Sequence, residues 1–312
     1  MSRIHEALKK AAQERSAQFA ENPTQECVDL SAEGLTGNLL TEKRIPLPLE
    51  HPRTAGNDDS AAFQRFQKYV SKCPRPAWKM DPNGSVFSAQ SALPNGAERF
   101  RTLRSRLYQI ASMQPIRKIL VASTLAAEGK TFIAANLGQS FVRQPNRSVL
   151  MIDGDLRAAR LHVPFGAPTT PGLSEYLRGE ADESQVIQVG PEGNLCLIPC
   201  GGHVSNPSEL LHSDRMRNLL DNMAHIFDWV ILDSPPVLAV HDASILADMC
   251  DGVLFVVRAG ATDSALAERA VSEFRGKKVL GVVLNRVEKS DAYGEYYYGY
   301  SADAATVNAT TN

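Results

Sequence analysis

One stretch constrains this chain more than any other: Val121-Ala122-Ser123-Thr124-Leu125-Ala126-Ala127-Glu128-Gly129-Lys130-Thr131. An apolar run, Ile119-Leu120-Val121, leads into it, and a helix-like run, Phe132-Ile133-Ala134-Ala135-Asn136-Leu137, leads out. Strand, small-residue turn, Gly-Lys-Thr and helix form the context in which a Walker A match becomes a phosphate site. Backbone N–H groups of such a turn and of the helix N-terminus converge on an anion. Lys130 is placed to meet the β- and γ-phosphates as a point charge, and the Thr131 hydroxyl suits Mg²⁺, which prefers oxygen ligands. The glycine pattern is thin. Thr124 stands where the first glycine is usual, and Ala126 and Ala127 stand where glycines are common. Alanine resists positive φ, so the turn is expected to be right-handed or extended there, or mildly strained.

The 312 residues allow one large domain, or one domain with a tail. A net charge of −2 argues against nucleic acid as the main partner. Five cysteines (Cys27, Cys73, Cys196, Cys200, Cys250) are scattered and complete no metal-binding pattern, which fits reduced thiols in a cytoplasmic protein. The first 15 residues have no apolar core of a signal peptide. No apolar run reaches the roughly 18 residues that would span a membrane.

Residues 1–18 are expected to hold a short amphipathic helix, with Ile4, Ala7, Leu8 and Ala11 at helical spacing. A marginal surface helix and a docking helix fit that spacing equally well. Residues 19–93 are polar and punctuated by Pro46, Pro48, Pro52, Pro74, Pro76 and Pro82. They read as a largely disordered linker, with at most a short helical piece near residues 61–70. A domain is expected over 94–289. It opens with a helix around Glu98–Leu107, where Phe100, Leu103 and Leu107 share a face and Glu98, Arg101 and Arg104 lie close together. Those charges fit a solvated face or an interface with a like copy. Further on, Ser148–Ile152 reads as a buried parallel strand ending in Asp153-Gly154-Asp155-Leu156-Arg157. Two carboxylates just past the C-terminal end of a strand face the crevice where doubly wound sheets bind ligands. A helix running from about Asn206 or Ser208 to Ala224 precedes Trp229-Val230-Ile231-Leu232-Asp233, a Walker B pattern closed by Ser234-Pro235-Pro236. Strands Val253–Arg258 and Val279–Asn285 follow, each preceded by a helix. The alternation predicts an α/β fold of the P-loop NTPase type, a doubly wound, mostly parallel sheet. Asn285 and Arg286 end the last strand, where a nucleotide base would be read. In residues 290–312, Tyr293, Tyr296, Tyr297, Tyr298 and Tyr300 gather five of the eight tyrosines in a stretch without helical or strand period. A tail presenting several phenols suits a phosphate acceptor.

Taken together these segments resemble the bacterial tyrosine kinases (BY-kinases) of capsule and exopolysaccharide synthesis, in the family's order over roughly residues 94–300. The resemblance implies an autokinase that uses ATP and Mg²⁺ to phosphorylate its own tyrosine tail in trans within a homo-oligomer, regulating polysaccharide export. Lys130, Asp153, Asp155 and Asp233 would be the catalytic set. Thr131, Asp155 and Asp233 would hold the metal, and Ala127, Glu128, Gly129, Lys130, Thr131, Phe132, Asn285 and Arg286 would contact the nucleotide. Glu98, Arg101 and Arg104 would build a ring of subunits. Without a membrane segment the chain resembles the split, cytoplasmic form, recruited to the inner face of the membrane by a polysaccharide co-polymerase that activates it. Two departures stand out: Ala126-Ala127 replaces Pro-Gly, and Ala158-Ala159 replaces a basic residue and Pro. A P-loop ATPase switch of the septum-positioning or partitioning type is the main alternative. Such switches carry an early lysine where this chain has Leu125, and they lack a tyrosine tail. A nucleotide-binding regulatory adaptor is the non-enzymatic alternative.

Overall fold

The computed structural model describes residues 57–88 and 95–287. The expected N-terminal helix at 1–18, the start of the expected linker and the tyrosine tail lie outside the described residues. The elements are α1 (Asn57–Val70), α2 (Gly96–Met113), β1 (Lys118–Ser123), α3 (Lys130–Val142), β2 (Val149–Asp153), α4 (Leu173–Arg178), α5 (Glu183–Val186), β3 (Gln188–Val189), β4 (Leu195–Ile198), α6 (Pro207–Leu211), α7 (Asp214–Ile226), β5 (Trp229–Asp233), α8 (Asp242–Ala247), β6 (Gly252–Arg258), α9 (Ser264–Ser272) and β7 (Val279–Asn285).

The strands form one seven-stranded sheet in the order β3-β4-β2-β5-β1-β6-β7. Every neighbouring pair is parallel except β3 with β4. From β1 the chain builds one half of the sheet through β2 to β5, then crosses to the other side for β6 and β7. The crevice at the C-terminal end of β1 is therefore a switch point, where open α/β sheets bind ligands. Side chains alternate between the faces of a strand. Leu120, Ala122, Val230 and Leu232 enter one core with Met216, Leu219 and Met223 of α7. Ile119, Val121, Ile231 and Met151 enter the other with Phe100 and Leu107 of α2 and Ile133 and Leu137 of α3. Both faces are covered, which is why the central strands read as unbroken apolar runs.

The linker reading fails over residues 57–88. Phe63, Phe66 and Val70 form a helical stripe on α1. Phe66 and Val70 are each 1% exposed, and the Phe66 ring meets Phe227 edge-on at 5.3 Å. Beyond α1 the chain runs along the domain instead of away from it. Pro74 accepts a hydrogen bond from the Val189 amide (2.9 Å), and the Asp81 amide donates to the Pro164 carbonyl (3.0 Å). Asn136, wholly buried in α3, clamps the end of this segment: its Oδ1 accepts from the Val86 amide (2.8 Å) and its Nδ2 donates to the Gly84 carbonyl (3.0 Å). Prolines end helices, but they do not prevent extended chain from packing. The expected helix over 206–224 is two helices. Ser213 caps α7 by accepting from the Met216 amide, so α6 stops at Leu211.

Candidate nucleotide and phosphotransfer site

The phosphate loop joins β1 to α3. Gly129 caps the helix at φ +96°, and a Cβ there would overlap the Asn285 side-chain nitrogen, so this position needs glycine on both counts. Ala127 adopts φ +64°, in the left-handed region. This is the mildly strained alternative for the thinned glycine pattern, at a cost of about 1–2 kcal/mol for a residue with a Cβ. The loop is bound on both flanks. The Val237 and Leu238 amides, just beyond the Walker B acid, donate to the Ser123 and Thr124 carbonyls (2.9 and 3.3 Å). On the other side, Asn285 Nδ2 donates to the Glu128 carbonyl (2.8 Å).

Sheet register brings the acids together. Asp153 at the end of β2 pairs with Asp233 at the end of β5, and Val121 of β1 pairs with the same Asp233. Asp153 is fully buried. Its oxygens accept from the Leu161 amide (2.9 Å) and the Asp155 amide (3.3 Å). Burial pushes its carboxyl above the usual carboxylate range, and the neighbouring Asp233 charge adds to the effect. Asp233 is also raised by burial, opposed by Lys130 and by the Thr131 hydroxyl, which donates to its Oδ2 at 2.5 Å. Asp155 accepts from the Ala158 amide (2.9 Å) and lies 3.8 Å from the Lys130 ammonium.

Beyond these acids lies a network that the sequence reading did not anticipate. Arg157 Nε donates to Asp242 Oδ2 (2.8 Å), one of its terminal nitrogens donates to the Ser208 hydroxyl (2.9 Å), and Ser208 donates to Asp242 Oδ1 (2.6 Å). It ties the turn carrying Asp153 and Asp155 to α6 and α8. Arg157 closes the Asp153–Arg157 segment and Ser208 lies near an expected helix start, but nothing local marks their meeting with Asp242, because the three come from distant segments. Thr262, whose hydroxyl donates to the Glu128 carboxylate, was missed for the same reason.

The donor set fits magnesium. Asp233 Oδ1 is buried without a hydrogen-bond partner, and the Thr131 hydroxyl and the Asp155 carboxylate complete an all-oxygen group on the phosphate side. No cluster of three or more His, Cys, Asp or Glu side chains forms a metal site among the described residues.

Of the other expected residues, Phe132 packs edge-on against Phe100 at 6.2 Å. Asn285 spends its amide on the loop and its Oδ1 on the Arg286 amide, while Arg286 lies exposed at φ +56°. Glu98 and Arg101 pair with each other at 2.9 Å on the surface of α2. Arg104 does not join them: its guanidinium turns inward and donates to the Ser140 carbonyl of α3 at 2.5 Å.

Residues 119–304 match the model of the CobQ/CobB/MinD/ParA nucleotide binding domain. Tyrosine-protein kinase YwqD of Bacillus subtilis (strain 168) is 34% identical over 208 residues, 65% of this chain and 86% of that protein. Succinoglycan biosynthesis transport protein ExoP of Rhizobium meliloti (strain 1021) is 35% identical over 246 residues, 77% of this chain but only 28% of the longer relative. Among solved structures, the kinase domain of Escherichia coli tyrosine kinase ETK superposes with a TM-score of 0.61 at 31% identity, covering 69% of this chain and 84% of that one. A Walker loop, paired strand-end acids and a Walker B acid on one switch point, together with these relatives, show that the chain belongs to the bacterial tyrosine kinases, the BY-kinases.

Proposed function

We propose that this chain transfers the γ-phosphoryl group of ATP to tyrosines of its own tail, Tyr293, Tyr296, Tyr297, Tyr298 and Tyr300, from one subunit to another in a homo-oligomer. The observation that carries this reading is the convergence of Lys130, Thr131, Asp153, Asp155 and Asp233 at one end of the sheet. Phosphoryl transfer depends on positioning and charge compensation more than on covalent chemistry by the protein. Lys130 and the amides of residues 127–132 hold the β- and γ-phosphates. Thr131, Asp155 and Asp233 would hold Mg²⁺, which supplies charge neutralisation of the phosphates when bound. Asp153 is assigned to orient or accept the phenol proton. A phenol with a pKa of about 10 arrives protonated, and a carboxylate raised toward neutrality is the better base for it. Arg286, exposed beside the loop, is assigned to the base, and Asn285 to holding the loop beneath it.

The biological setting is an extension of the same proposal. By analogy with ExoP, the phosphorylation serves polysaccharide synthesis or export. The partner would be a membrane co-polymerase that recruits and activates the kinase at the inner face of the membrane. No helix among the described residues is long and apolar enough to cross a membrane. Glu98 and Arg101 are the exposed part of α2 assigned to subunit contacts, while Arg104 fastens that helix to α3. Each phosphotyrosine adds about −1.5 to −2 charge, so a phosphorylated ring would tend to come apart.

The test is phosphotyrosine mapping by mass spectrometry on purified protein with ATP and Mg²⁺, with and without a cytoplasmic fragment of a candidate membrane partner. Lys130→Ala and a chain ending after Lys289 are the controls. Phosphate on residues 293–300, absent in Lys130→Ala, is expected. ATP consumption without phosphotyrosine under any condition would replace this reading with an ATPase switch.

A further inference from the structure

We propose that the Glu128 side chain is a positioning strut for the phosphate loop, anchored on Thr262, and that it holds Ala127 in the left-handed conformation that glycine would adopt unaided. The inference rests on the nucleotide-binding reading above and assigns the Glu128 carboxylate, as distinct from its amide, a role other than phosphate contact.

A residue with a Cβ at positive φ persists only where its surroundings over-determine it. Packing does not do so here: Leu125, Ala126 and Ala127 are all exposed at the loop tip. The polar ties do. Glu128 is 3% exposed. Its Oε2 accepts from the Leu125 amide at 2.8 Å, closing a ring across Ala126 and Ala127. Its Oε1 accepts a hydrogen bond from the Thr262 hydroxyl. Its carbonyl accepts from Asn285. The anchors are themselves fixed. The Thr262 amide donates to the Arg258 carbonyl (3.1 Å), and the Ala259 amide donates to the Asn285 carbonyl (2.9 Å), so the turn after β6 and the end of β7 form one support. Both carboxylate oxygens are thus engaged away from the phosphates. The two alanines and the carboxylate make a matched set: the strut supplies the restraint that permits a glycine-poor loop to present its amides.

The experiment uses full-length protein carrying Thr262→Val, which removes the hydroxyl at nearly constant shape, and Thr262→Ser, which keeps it. Both are made with and without Ala127→Gly. Hydrogen exchange of the loop amides is measured without nucleotide, ADP·Mg²⁺ affinity by calorimetry, and KM for ATP separately from kcat. Thr262→Val is expected to speed loop exchange and weaken ADP by about tenfold, the equivalent of one lost hydrogen bond at ~1.4 kcal/mol per decade. It should raise KM for ATP more than it lowers kcat, and Thr262→Ser should stay close to wild type. Because glycine takes positive φ without strain, adding Ala127→Gly should recover most of the loss. Equal exchange and affinity in Thr262→Val and wild type would overturn the proposal. So would a deficit of the same size with Ala127→Gly present. The exchange measurement needs no nucleotide, so it judges the strut separately, while failure of wild-type protein to bind ADP would count against the nucleotide reading.

Discussion

Gly129 and Asp153 show how single residues are held to one task. At Gly129, backbone conformation and a neighbour act together: φ is +96°, and the space a Cβ would take belongs to the Asn285 amide. Gly129→Ala should therefore lose about 2–3 kcal/mol, combining left-handed strain with the displaced Asn285 hydrogen bond. A shift of the urea midpoint in nucleotide-free protein would show it, and an unchanged midpoint would mean the loop simply rearranges. At Asp153 the cause is electrostatic. Burial beside Asp233 raises its proton affinity in the folded state above that of the unfolded chain. The folded state then binds more protons, so the contribution of this carboxyl to stability falls as pH rises from the ordinary Asp value of about 3.9 toward the raised one. Asp153→Asn cannot ionise. In chelator, its stability relative to wild type should improve with pH by at most about 1.4 kcal/mol per unit, on top of a constant loss from placing an amide against a backbone N–H. Urea midpoints of both proteins at about pH 5 and about pH 8 test this, and a difference independent of pH would remove the electrostatic explanation.

At the scale of elements, the site is a set of strand ends locked by side chains from elsewhere. Asp242 is fully buried at the start of α8, and Arg157 and Ser208 are its partners. Removing Arg157 would leave a buried carboxylate with a hydroxyl alone. Arg157→Ala should cost about 3 kcal/mol, the lower end for a broken buried pair, because the arginine side is 40% exposed. Ser208→Ala should cost about 1 kcal/mol. Arg157→Ala combined with Asp242→Asn should recover part of the first loss. Denaturant midpoints rank the three, and equal losses for the two single variants would contradict this assignment. The elements themselves were readable where their burial is two-sided. Residues 119–122 and 229–232 are unbroken apolar runs because both faces of the sheet are covered. The two-residue β3 is too short to carry a period, and Ser213 looked like helix interior because a cap is recognised by its hydrogen bond to Met216. Asp153, Asp155 and Asp233 were legible because they lie at or just past the ends of apolar strands, with Gly154 or Ser234-Pro235 following. Thr262 and Asp242 were not, since their partners lie 134 and 85 residues away.

For the whole molecule, the boundary of the folded unit matters most. Residues 57–88 have the composition of a linker, yet they seat Phe66, Val70, Trp78 and Val86 in the two cores, one on each side of the sheet. Their periodicity is short and their prolines are frequent, so the local signal was weak, while their burial depends on surfaces contributed by α3, α7 and β3. Burying a large apolar side chain contributes about 1.5–3 kcal/mol. Four such residues approach the roughly 5–15 kcal/mol by which a domain is stable at all. A chain beginning at residue 57 should therefore unfold cooperatively, and one beginning at residue 94 should not, as judged by calorimetry and by loss of near-UV dichroism. Phe66→Ala in the full chain isolates one contact and should cost about 3–5 kcal/mol. The 94-start chain would expose Phe227 and the parts of α3 and β3 that this segment covers. If it instead matched the longer chain in melting temperature, the packing of α1 and the segment after it would be incidental to the fold. Nucleotide affinity lost together with cooperativity would show that the segment read as a linker is part of what holds the acids in register.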